Sequence, residues 1–126
     1  VPYTEVSDVR AILTNDPLAP QGTAASVPEA VITTAIEDAQ EEVDAILRSR
    51  YTVPFTPVPR LIARITRDIA AFLSDLVYRQ EKDYDSIDRE PLLMRLARAR
   101  AILEKLADGT FILPPVVGEE DQGALG

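Results

Sequence analysis

The chain has 126 residues, 46% hydrophobic and 27% charged, which is the size and composition of one folded domain rather than of a disordered tail. Thirteen Lys and Arg against 21 Asp and Glu leave a net charge of -8, which argues against tight, sequence-independent binding of nucleic acid, where cationic groups supply the counterion release. There is neither Cys nor His, so disulfides, thiolate metal sites, cysteine nucleophiles and the commonest general base are all excluded.

The sequence starts at Val1 without a Met, which implies a removed initiator. No apolar run approaches the roughly 20 residues needed to span a bilayer, so a soluble protein inside a cell is expected. Thr4 is placed to cap a short helix through Val6, Val9, Ile12 and Leu13, which ends at the turn signal Asn15-Asp16-Pro17. Residues 17–26 are small, polar or proline and read as a surface loop. Ser26-Val27-Pro28-Glu29 then has the form of a capping box, with Ser26 as N-cap and Glu29 reaching back to a free amide.

The helix after it places Ile32, Ile36, Ala39, Val43 and Ile46 on one stripe and is expected to run to about Arg50. On its polar side, Glu37, Glu41 and Asp44 form a second stripe. Such carboxylates suit Mg or Ca or an acid–base pair, but without His the expected role is a solvated or inter-subunit face. In the next segment Pro54, Pro57 and Pro59 remove amide donors and force extended backbone, so no helix crosses residues 51–59. Tyr51 and Phe55 are expected to plug the core ends of this connector. A polyproline-like strand would also lose little entropy on docking to a partner.

Beyond it Ile62, Ile65, Ile69, Phe72 and Leu76, widened by Leu61, Leu73 and Val77, predict a deeply buried central helix over residues 60–80. Arg60, Arg64 and Arg67 share one face of its first turns, where the macrodipole disfavours cations by about 0.3–1 kcal/mol each, so an anion is expected opposite them. The anion is the carboxylate stripe of the same chain, that of a neighbouring subunit, or a nucleic-acid backbone, in that order of expectation. Residues 83–88 begin like a calcium loop, but Ile87 stands where a ligand is needed and Asp88 where Gly is needed, so that reading fails. Pro91 opens a last helix with Leu92, Leu96, Ala99, Leu103 and Leu106 in register, closed by Gly109. Phe111, Ile112 and Leu113 form an apolar run readable as a short strand, followed by an acidic tail.

The Gly residues make neither a dinucleotide fingerprint nor a phosphate loop, and no Gly-x-Ser-x-Gly turn occurs. The residues point to an all-α bundle of about four helices without enzymatic activity, cofactor or metal. Residues 1–109 are its helical domain and 110–126 an arm that is extended or flexible until assembled.

Several motifs are similar to the small head protein family of Mu-like phages. They are the opening Tyr3-Thr4-Glu5-Val6-Ser7-Asp8-Val9-Arg10, then Arg50-Tyr51, Pro54-Phe55, Pro57-Val58-Pro59, Leu61-Ile62-Ala63-Arg64, Asp68-Ile69-Ala70 and the close Leu106-Ala107-Asp108-Gly109 before Ile112-Leu113-Pro114. The resemblance covers residues 3–114 and implies a head-to-tail connector located at the head-tail junction of the virion, and in host cytoplasm before assembly. It implies a homo-oligomeric ring, a dodecamer, touching a portal protein and a neck or tail completion protein. DNA would pass through that ring without specific binding, and no membrane is involved. Phe111, Ile112 and Leu113 are then the candidate portal contact; Arg60, Arg64, Arg67, Glu37, Glu41 and Asp44 the candidate inter-subunit contact; Tyr51, Pro54, Phe55, Pro57 and Pro59 the connector. The rival expectation is a cytoplasmic helical regulator that captures a partner helix in an apolar groove.

Overall fold

The computed structural model describes residues 2–14, 27–82 and 90–113, and among them are four helices and no strand. They are α1 (Val6–Thr14), α2 (Glu29–Leu47), α3 (Arg60–Lys82) and α4 (Glu90–Asp108). The fold is an all-α bundle, as the four-and-three spacing predicts. The loop at residues 17–26 and the calcium-like segment 83–88 lie outside the described residues, as does everything after Leu113.

Two helix starts differ in detail from the sequence reading. The Glu5 carbonyl accepts from the Asp8 and Val9 amides at 3.0 and 3.2 Å, which makes Glu5 rather than Thr4 the cap position of α1. The cap of α2 is Pro28, with ψ at 143° and no side-chain hydrogen bond, and Ser26, the cap expected from the capping box, lies outside the described residues. Val27 and Ile32, one residue before the cap and four after it, are both buried, the arrangement of a hydrophobic staple. The Val27 carbonyl is held by Arg10 Nη1 at 3.1 Å.

The most extensive packing joins α2 to α3. Both α1 and α4 lean on this central pair, and among the described residues they do not touch each other. Ile32, Leu47, Ile62, Ile69, Leu92, Leu103 and Leu106 are fully enclosed, each contributing about 1.5–3 kcal/mol by burial. Along α3 the buried set shifts. Ile62, Ile65 and Ile69 are buried as expected, but further on Ala70, Ala71, Ser74, Asp75 and Tyr78 are buried, whereas Phe72, Leu73 and Leu76 are half-buried and Val77 is exposed. A central helix is covered from more than one side, and small residues let neighbours approach closely where a large apolar stripe would hold them off.

No helix crosses the proline segment, as expected, but its path is folded rather than extended. The backbone bends repeatedly between α2 and α3, with cis bonds at Val53–Pro54 and Thr56–Pro57. Pro59 is buried, and its carbonyl accepts from the Ala63 amide at 3.0 Å to start α3.

Candidate functional site

Three surfaces carry the chemistry that a molecule without His or Cys can offer. The first surrounds Tyr3, which is buried although it lies almost at the start of the chain. Its amide donates to Gln40 Oε1 at 2.9 Å, and its hydroxyl donates to Asp44 Oδ1 at 2.6 Å. The same hydroxyl accepts from the Phe55 amide at 2.9 Å. Its ring meets Phe55 edge-on at 5.9 Å, and Phe55 in turn lies 6.0 Å from the tilted ring of Tyr51. Tyr51 and Phe55 are half-buried against the core, while Pro54 and Pro57 face solvent. Burial, followed by the hydrogen bond to Asp44, pushes the Tyr3 phenol up to about 12.

Beside this latch, between residues 2–6 and α2, opens a groove of about 560 Å³. Its wall carries Glu5, Glu37, Glu41 and Asp44 over an apolar floor of Val6 and Ile36. The carboxylate stripe of α2 is therefore divided. Asp44 is used inside the chain by Tyr3, whereas Glu37 and Glu41 are exposed and make no hydrogen bond or ion pair among the described residues. No three carboxylates among the described residues converge to hold a metal ion.

The second surface is the arginine face of α3. The same-chain pairing placed first from sequence, between these arginines and the Glu37–Glu41–Asp44 stripe, does not form. Arg67 instead meets its own neighbour Asp68 at 3.2 Å, where Arg95 of α4 also arrives at 3.6 Å. Arg60 and Arg64 are exposed and pair with no described residue. Helical geometry explains it: at 100° per residue Arg60 and Arg64 lie opposite Ile62 and Ile69, the side of α3 that enters the core. The carboxylate of α2 that does find an arginine is Glu42, paired in two-pronged fashion with Arg100 of α4 at 3.0 Å for both bonds.

The third surface is the tip beyond α4. Gly109 adopts φ of 87°, which ends the helix as its sequence position foretold. The Arg50 guanidinium packs directly against it, only 3.0 Å from where a side-chain carbon would stand. Thr110 then donates its amide to Asp108 Oδ1 at 2.8 Å; the hydrogen bond from the Thr110 side chain first, and this amide second, hold the Asp108 carboxyl below its usual range. The Phe111 amide donates back to the Lys105 carbonyl at 3.0 Å, and Lys105 Nζ lies 5.0 Å from the centre of the Phe111 ring. The expected strand is thus a turn folded back on the helix end, because its amides are taken up locally. Leu113 packs partly on the core, whereas Phe111 and Ile112 remain 42% and 76% exposed.

Of these features, the carboxylate and arginine stripes and the apolar tip were legible as patterns. Tyr3 and Gln40 were missed, since their partners lie far along the chain. The one available signal was an aromatic residue at position 3, between Pro2 and Thr4.

No curated protein matches the chain. The family described as Bacteriophage Mu, Gp36 does, over residues 3–124, a span that takes in Tyr3, both charged faces and the tip. On a match of that extent, this chain belongs to the Bacteriophage Mu Gp36 family.

Proposed function

We propose that the chain is a structural head-to-tail adaptor of a tailed bacteriophage. Copies form a ring below the portal protein, the neck or tail completion protein docks on the ring, and DNA passes through it without specific binding. Membership of a Mu-type phage family supports a role in the particle. The observation that carries the adaptor reading is the tip after α4. Phe111 and Ile112 are presented to solvent on a turn already fixed by Gly109, Asp108 and Lys105, so little ordering entropy is lost when a partner covers them. A net charge of -8 supports passage of DNA, since carboxylates repel its backbone. We assign the chain no catalytic residue, cofactor or metal.

The test is twofold. Purified particles are analysed for the protein by mass spectrometry, and binding to the portal is measured for the wild type and for Phe111→Ala/Ile112→Ala. The protein is expected in the particle, with portal binding weakened roughly ten- to hundredfold by the double substitution. Absence from particles refutes the role; unchanged portal binding refutes the assignment of the tip.

A further inference from the structure

We infer that two copies of this chain join head to tail, with Arg60 and Arg64 of one copy entering the groove beside Glu37 and Glu41 of the next. The inference rests on the ring-forming role proposed above and names the surfaces that would build the ring.

Three observations lead to it. Arg60 and Arg64 stand in the first two turns of α3, where the positive end of the helix dipole opposes them, yet no described residue supplies an anion. Glu37 and Glu41 have the converse deficit, lining a groove of about 560 Å³ with no cation among the described residues. The two faces also point in different directions. The arginines lie opposite the core side of α3, while the carboxylates open on the α1 side of α2. Faces so disposed on one packed body cannot meet each other, but each can meet its complement on another copy.

Such a contact is heterologous: every copy placed leaves one arginine face and one groove at the ends of the row, and the row closes when its rotation permits. The groove suits arginine in particular. Its apolar floor of Val6 and Ile36 can take the aliphatic stems, and its rim carboxylates can take the guanidinium groups. Nucleic acid is a poorer occupant of the arginine face, because the chain as a whole carries -8.

Charge exchange tests the pairing. All four side chains are exposed, so Arg60→Glu/Arg64→Glu and Glu37→Arg/Glu41→Arg are compatible with the fold, which circular dichroism checks. Self-association is followed by sedimentation and native mass spectrometry. Wild-type protein is expected to associate at low salt and to dissociate as salt rises. Each variant alone is expected to associate at least roughly tenfold more weakly. An equimolar mixture is expected to recover, since the new glutamates of one variant meet the new arginines of the other while the unaltered faces also match.

Because the chain has no Cys, Glu37→Cys mixed with Arg64→Cys provides a second reading: a disulfide-linked pair from the mixture and none from either variant alone. A wild type that stays monomeric at low salt, a mixture that fails to recover, or crosslinks absent from the mixed pair would each overturn the interface. These outcomes are separate from those of the adaptor role. A protein found in particles whose exchange variants associate like the wild type keeps that role and loses this interface, whereas absence from particles removes the role itself.

Discussion

Replacing Tyr3 by Phe removes one oxygen and keeps the ring, so it isolates the latch that joins the chain start to α2 and the connector. The lost hydroxyl leaves the part-buried Phe55 amide without its acceptor, a cost of about 1–3 kcal/mol. Its bond to the Asp44 carboxylate is of the charge-assisted kind, but Asp44 is only half-buried and water can replace the donor, so this part lies at the low end of its range. The sum is about 2 kcal/mol. For a domain of this size that lowers the melting temperature by roughly 8 °C. Thermal and urea unfolding measure it, and hydrogen exchange at the Phe55 amide reports on the bond itself. The latch also has an alkaline signature. The folded-state phenol is raised from 10.0 to about 12, so its stabilising contribution is whole below about pH 10 and is lost as pH rises through about 12. Tyr3→Phe should lack that step. A variant as stable as the wild type, with an equally protected Phe55 amide and an unchanged alkaline limb, would refute the reasoning.

Gly109→Ala is expected to cost about 1–2 kcal/mol, since a left-handed φ is imposed on a residue with a side chain and Arg50 must move aside; with Arg50→Ala in the background the penalty should shrink. Ser74 Oγ is buried without a hydrogen-bond partner among the described residues, so Ser74→Ala should be neutral or stabilise by up to about 1 kcal/mol in urea unfolding, and a marked loss would mean that the hydroxyl is engaged. Arg100→Ala should lose only about 0.5–1 kcal/mol, a difference that fades at high salt, because the pair with Glu42 is well oriented but lies near the surface.

What could be read from the sequence followed the range of the interactions involved. Ile32, Ile36, Ala39 and Val43 recur at helical spacing, so α2 and its core face declared themselves locally. Gly109 likewise marked its own conformation. The second half of α3 did not, because periodicity locates the apolar side of a helix but not how many neighbours surround it, and the polar Ser74 and Asp75 are buried there. The same limit applies to the charged stripes. Their residues were visible, whereas the rotation of α3 that turns Arg60 and Arg64 away from α2 is set by how Ile62, Ile65 and Ile69 pack. Tyr3 is the extreme case, with partners 41 and 52 positions away.

That separation has a consequence during synthesis. At about 5–20 residues per second, Phe55 is joined to the growing chain roughly 3–10 s after Tyr3. Until then the hydroxyl has no amide to receive, and α1, at nine residues, is shorter than the about 12–15 residues at which an isolated helix becomes even marginal in water. The earliest of the described helices in chain order is therefore among the last to settle. Val9 and Leu13, both destined for the interior, stay uncovered on the nascent chain for that interval.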